Sequence, residues 1–464
     1  MKYSLIKCLC FLMAATLLAS CGIYGSYSRP DEVNTQGLIR DAVSDTDTLS
    51  ASAGSTFGNL PWREVFTDSQ LQKLIEQGLE KNSNLLNAIQ NVKIAEAQLM
   101  ASRLSFLPSI SLGPNASYTY YNYDLQPSTK AYSLPINASW NVDLFGKLLS
   151  SSRAAQKQLL LAEDNQMAVR SQVICGIANT YYTLLMLDRQ LAISKEMCDM
   201  AKETYDMMKL QHELGRVRST GVQSAEASYL SVVTQVNDLE RQIRTTENAL
   251  SLLIGQAGQQ IPRSTLEIQS LPEKFSVGVG AQLLENRPDV HAAEMQLAQC
   301  FHGKQNARAQ FLPGINITAS GGWSNLQGNV DPGHWLWQLG ASLTQPIFAN
   351  GKLVAGLKVA KAQYEIAFNN WQNAVLSAGN EVSNALVNYN KYDANSRIEA
   401  QRVALLEKNV EDTKSLYKNS SSSYLEVLTA QTQLLSAQIQ KVSDDFYKMQ
   451  AVVSLYQALG GGAK

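Results

Sequence analysis

The residue best placed to take part in covalent chemistry is a thiol near the start of the chain. Lys2 and Lys7 form a positive n-region, Cys8 to Leu18 an apolar run, and Ala19-Ser20 the small pair that a signal peptidase needs before Cys21. Leu18-Ala19-Ser20-Cys21 fits the lipobox motif at all four places, which makes the Cys21 sulfur an acceptor for acyl chains. Each buried methylene contributes about 0.8 kcal/mol, so several chains hold a protein at a membrane surface without spanning it. An ordinary secretory signal with an incidental Cys21 is the plainer alternative.

No other residues gather into a reactive centre. Cys175 and Cys198 lie 23 residues apart in one continuous helical pattern. That separation is roughly 35 Å, too far for a disulfide, so buried thiols are expected. His212, His291, His302 and His334 form no i,i+4 pair and join no cluster with ligand spacing. His212-Glu213 lacks a nucleophile, and no Gly-rich phosphate loop occurs. The expectation is therefore no enzyme, no metal and no cofactor beyond lipid on Cys21. The formal charge is −1 and only 17% of residues are charged, against about 25% in typical soluble domains. With no basic cluster, nucleic acid is not a predicted partner.

The elements that must position any site are written twice. Arg103-Leu-Ser-Phe-Leu-Pro-Ser-Ile110 recurs as Arg308-Ala-Gln-Phe-Leu-Pro-Gly-Ile315, an offset of 205. The same offset pairs Gly146-Lys147-Leu148 with Gly351-Lys352-Leu353, Asn179 with Asn384, and Gly255 with Gly460. A period this long reads as duplication, not as a solenoid. The division is a signal peptide at 1–20, an N-terminal tether at 21–60, and repeats at 61–255 and 280–460.

Each repeat runs helix, strand pair, then two long helices. Tyr132, Leu134, Ile136, Ala138, Trp140, Val142 and Leu144 occupy every even position, with Ser133, Asn137, Ser139, Asn141 and Asp143 between them, the signature of a strand with one apolar and one polar face. Strands are expected at about 109–123, 132–144, 313–324 and 335–347. A run of about 10 residues spans a bilayer as a tilted strand, although a soluble sandwich also has apolar inner faces. Helices are expected over 147–212, 222–254, 352–417 and 424–459. Leu428, Leu435, Val442, Met449 and Tyr456 recur every seven residues, and Leu425, Thr432, Ile439, Phe446 and Val453 form a companion row, as in a coiled-coil seam. A 65-residue helix would be roughly 100 Å long.

Four strands do not close a barrel, and an open edge in hydrocarbon leaves backbone groups unpaired. The chain is thus expected to oligomerise, three copies giving twelve strands. The Phe-Leu-Pro motifs, Leu144-Phe145-Gly146-Lys147, Gln345-Pro346-Ile347-Phe348, Asn286-Arg287-Pro288-Asp289-Val290 and Tyr424-Leu425-Glu426-Val427-Leu428 resemble the TolC-like outer-membrane efflux protein family, lipoprotein branch. The resemblance implies a mainly α fold with a small membrane β-barrel. Its homotrimer would carry a 12-strand β-barrel continuous with a 12-helix α-barrel, and would serve as a passive outer-membrane conduit for small amphiphilic compounds or drugs. Implied partners are a periplasmic adaptor and an inner-membrane transporter, RND-type in preference to ABC-type. Gly22 after Cys21 suits sorting to the outer membrane. Protein secretion or metal-ion efflux is an alternative cargo, and a lipid-anchored periplasmic scaffold or enzyme an alternative class.

The resemblance also places a periplasmic gate at the helix-turn-helix tips. Tyr417 falls on the family tyrosine and Glu426 on an acidic ring residue, while Ser422 stands where a basic residue is expected. Thr429 and Gly221 stand where acids are expected, so hydrogen bonds involving Tyr417, Tyr424 and the serines 420–423 replace salt bridges in this reading. Leu214-Gly215-Arg216 resembles an adaptor-contact turn and Lys418-Asn419-Ser420 does not. Gly215 is expected at positive φ.

Overall fold

The computed structural model describes residues 25–30, 57–120, 129–272, 286–325, 333–418 and 424–463. Cys21 lies outside them, as do Asn419, Ser420 and Ser422. The elements in order are α1 (Trp62–Val65), α2 (Ser69–Lys81), α3 (Ser83–Leu104), β1 (Ser109–Leu112), β2 (Asn115–Thr119), β3 (Thr129–Val142), α4 (Lys147–Glu213), α5 (Ser219–Leu253), α6 (Pro288–Ala309), β4 (Gly314–Asn325), β5 (His334–Thr344), α7 (Lys352–Lys418) and α8 (Tyr424–Ala458). The two copies match closely: α4 and α7 each have 67 residues, and α5 and α8 each have 35. None of these helices is long and apolar enough to cross a membrane.

The chain packs as two compact units. One draws on residues 90–163 and 292–373 together with Gly25–Pro30, and it contains the sheet. Its strands run in the order β1–β3–β4–β5, all antiparallel, with β2 also on β3. The first expected strand is interrupted at Gly113-Pro114, because Pro114 has no N–H to donate. The register carries through the break unchanged, from Leu112 opposite Ile136 to Asn115 opposite Ser133. Gly25–Pro30 belongs to the stretch read as a tether, yet it is pinned. Arg29 donates two hydrogen bonds to Glu294, at 3.0 and 2.6 Å, and Tyr27 packs edge-on against Phe301.

The other unit is a helical core. Trp62, Phe66, Leu71 and Ile75 pack with Ile174, Ile177, Tyr181 and Tyr182 of α4 and with Tyr456 of α8, all buried. Phe57, also within the expected tether, stacks edge-on against Tyr456. Asp68 caps α2 by accepting from Gln70 N at 2.8 Å, and its other oxygen accepts from Tyr181, Gln269 and Ser264. Burial raises the Asp68 pKa, but these hydrogen bonds together hold it below the usual carboxylate value. Cys175 is fully buried, which pushes its thiol up to about 12, whereas Cys198 and Cys300 are only partly covered; all three are free. The α8 seam is buried at Leu435, Val442, Phe446, Val453 and Tyr456 but opens at Leu425, which is exposed.

Duplication is visible in how the long helices end. After α5, Gly255 takes φ +68° and Gln256 N donates to Ser251 O; after α8, Gly460 takes φ +83° and Gly461 N donates to Tyr456 O. Both are Schellman caps, which need a residue free to enter the left-handed region. A carbonyl in the last turn of each helix is satisfied from position 82 or its counterpart 205 residues on. Asn82 donates to Leu253 O at 2.8 Å, and Arg287 donates to Ala458 O at 3.0 Å.

Candidate functional site

Two places are candidates for the functional site: one face of the sheet, and the tips of the helical hairpins. Strand alternation puts Ile110, Ala138, Ala319 and Leu339 in one row across the sheet, because each is the register partner of the next. The rows beside it hold Leu112, Ile136, Gly321 and Trp337 on one side and Trp140, Ile317 and Ala341 on the other. This face is uncovered: Ile110 is 73% exposed, Ile136 50%, Leu339 70% and Trp337 80%. The opposite face is a polar lattice in which Ser111, Asn137, Ser320 and Gln338 align, as do Ser139, Thr318 and Gly340. Ser139 donates to Asn316 Oδ1 across it at 3.1 Å. Aromatic residues collect toward the hairpin end, at Tyr118, Tyr132, Trp323 and Trp335, while Trp140 marks the helix end and donates to Phe106 O. An apolar band bounded by aromatic girdles is what a bilayer selects.

At the first tip, α4 ends in another Schellman cap. Gly215 has φ +69°, its N–H goes to His212 O, and Arg216 N donates to Gln211 O. The His212 ring bonds Val217 O at 2.7 Å and fixes the turn. Leu214 and Arg216 project into solvent. At Gly221 an added Cβ would lie 2.9 Å from Met208 Cε, so the turn is tight where the resemblance expects an acid.

Near the tips, Tyr417 joins the two hairpins. Its hydroxyl donates to Gln211 Oε1 on α4 at 2.9 Å; the serines of its own tip lie outside the described residues. Burial raises the pKa of Tyr417, and burial followed by the neighbouring Tyr417 raises that of Tyr424. Glu426 is exposed in the first turn of α8, where the helix N-terminus favours negative charge. Sequence reasoning singled out Tyr417 but not its acceptor Gln211, which is 206 residues away. Among the described residues, no group of three His, Cys, Asp or Glu could hold a metal.

A sheet with one lipid-ready face and one wet face, continued by paired long helices, defines a strand-built membrane protein with helical hairpins. The chain belongs to the outer membrane efflux protein family, whose model matches residues 74–256 and 279–461. It is 28% identical over 454 residues to the cation efflux system protein CusC of Escherichia coli O157:H7, covering 97% of each chain. It is 29% identical over 458 residues to the toluene efflux pump outer membrane protein TtgF of Pseudomonas putida, covering 96% of this chain and 95% of that one. Among solved structures, the open state of the Neisseria gonorrhoeae MtrE outer membrane channel superimposes with a TM-score of 0.83 at 28% identity, over 95% of this chain and 98% of that one.

Proposed function

We propose that three copies of this chain join their sheets edge to edge into a twelve-strand barrel, and that the assembly is the outer-membrane conduit of a tripartite efflux pump. One observation carries the reading: the sheet combines an uncovered apolar face with two open edges, β1/β2 and β5. Unpaired strand edges cost several kcal/mol per backbone group in hydrocarbon, and edge-to-edge closure removes that cost. The channel moves nothing by itself; it passes cargo delivered by an inner-membrane pump through a periplasmic adaptor, the pump being of the RND type in this reading. The Ser, Thr and Asn lattice suits hydrated passage of small amphiphilic compounds, and the toluene pump component TtgF supports that cargo class. Cys21, acylated, tethers each protomer beside the barrel. The gate in this reading is Tyr417, Tyr424, Glu426 and Ser422, and Leu214-Gly215-Arg216 meets the adaptor.

Carbonate extraction of membranes carrying Cys21→Ser tests the barrel. The variant loses its lipid but stays in the membrane fraction, held by its strands. Full release into the soluble fraction would overturn the barrel reading. Cargo is tested separately, by comparing how a deletion strain complemented with this chain tolerates toluene and how it tolerates copper or silver salts.

A further inference from the structure

At one joint the two repeats diverge in side-chain chemistry. Where β3 passes into α4, Asp143 Oδ2 accepts from Leu149 N at 2.8 Å and caps the helix. Phe145 is only 9% exposed, and with Leu144 it lines a cavity of about 380 Å³ against Ala309, Leu312 and Pro313, the turn that leads into β4. Strand order explains the contact: β4 lies beside β3, so the joint after β3 meets the turn before β4.

Where β5 passes into α7, the residue 205 positions after Asp143 is Phe348, an aromatic in place of a cap. Phe348 is 82% exposed and its neighbour Ile347 is 98% exposed. Pro346 lines the same cavity as Leu312 and Pro313, so the two apolar side chains follow at the depth of a helix-to-strand turn. Among the described residues of the protomer, no strand lies beyond β5. In the closed ring the next strand is β1 of the following copy, and the turn before it holds Leu104, Leu107 and Pro108, the counterparts of Ala309, Leu312 and Pro313. Ala309 is 3% exposed, but Leu104 is 53% exposed and Leu107 61%. Leu104 and Met100 line an open cavity of about 420 Å³ with Leu99 and Leu159. Met100 and Leu104 lie one helical turn apart at the end of α3, and Leu107 follows in the turn after it.

We propose that Ile347 and Phe348 seat against Met100, Leu104 and Leu107 of the next protomer, and that this contact locks the seam between copies at the base of the barrel. The proposal rests on the trimeric barrel described above. The occupant is a second copy of this chain because, within the first repeat, the residues leaving β3 already pack against the turn before β4, and the equivalent turn before β1 lies at the open edge of the sheet.

Replacing Phe348 by the photoreactive p-benzoylphenylalanine and irradiating the detergent-purified protein tests this, with size measured by native mass spectrometry before irradiation. The expected result is covalent dimers and trimers on a denaturing gel, with the link mapped by peptide mass spectrometry to residues 97–108. The same replacement at Asn137, on the polar face, gives no such bands. Intact trimers whose position 348 links only to lipid or to its own chain would overturn the lock and leave the channel reading standing. Monomers alone, in the unmodified protein as well, would overturn both. In a second measurement, Phe348→Asp lowers the temperature at which trimers separate on semi-native gels, while Leu214→Asp at the tip leaves it unchanged.

Discussion

Replacing Ala138 by Arg tests the membrane face at its centre. From Tyr132 to Val142 the strand advances ten residues, about 33 Å at 3.3 Å per residue. Tilted by about 40°, it rises about 25 Å along the bilayer normal, the height of the apolar band in outer-membrane barrels. Ala138 stands roughly 15 Å from one end of that band and 10 Å from the other, flanked by Ile110 and Ala319. An arginine there faces hydrocarbon and costs about 2–4 kcal/mol per protomer. Asn137, one residue away, sits between Ser111 and Ser320 on the polar face, so Asn137→Arg projects into water and stays within about 0.5 kcal/mol. The assay is urea unfolding of protein folded into lipid vesicles, alongside the yield of trimers in outer-membrane fractions. Ala138→Arg lowers both midpoint and yield, and Asn137→Arg neither. Equal behaviour of the two variants would show that the alternation faces something other than a bilayer.

Four further outcomes follow from the helical unit and its tips. Gly460→Ala destabilises by more than Gly215→Ala in thermal unfolding. Both give up a left-handed position, worth about 1–2 kcal/mol, but at Gly460 the added Cβ overlaps the Asn286 carbonyl oxygen, while at Gly215 nothing lies within 4 Å. Asp68 has its pKa lowered by folding, so its contribution is complete above the unfolded value and lost as pH falls through the folded one; Asp68→Asn therefore flattens the acid limb of the stability-versus-pH curve below about pH 4. On the proposed gate, in which three Glu426 carboxylates ring a narrow entrance and focus a field there, Glu426→Gln reduces cation selectivity and divalent block in planar-bilayer conductance; unchanged selectivity would remove Glu426 from the pore. Arg287→Ala leaves Ala458 O without its donor, about 1–3 kcal/mol, and also breaks the ion pairs to Asp289 and Glu381, so Arg287→Asn recovers only the carbonyl's share in urea unfolding, as Asn82 does for Leu253 O.

The sheet was legible because its signal is local. A period of two fixes which side chains share a face, and a 205-residue offset identifies the second hairpin without knowledge of any contact. Gly215 was legible for a similar reason and takes φ +69°, while Gly146 and Gly351, paired by the offset, take φ +70° and +76°. What stayed hidden depends on pairs brought together only by the fold. Nothing near Tyr417 in the chain marks Gln211 as its acceptor. Arg29 and Glu294 are 265 residues apart, and both lie in sequence that would pass as solvent-facing. Asn82 and Arg287 do one job with two chemistries, so comparing repeats by residue type misses them, whereas comparing them by position 205 residues apart finds them.

Two kinds of core follow from this sequence, and they have different dependence on concentration. Tyr181, Tyr182 and Tyr456 are each 1% exposed or less in a single chain, so the helical unit that holds them needs no second copy to complete its interior. The sheet has no such completion. Its apolar face and both outer strands wait for lipid and for neighbouring copies, and what binds only the folded form stabilises it by mass action. The exposure of Ile347 beside the burial of Phe145 restates that difference within one duplicated joint. The seam made inside the chain forms at a fixed effective concentration, while the seam made between chains requires encounter, so the second must keep its apolar residues on the surface until a partner arrives. Duplication halved the number of seams that depend on encounter.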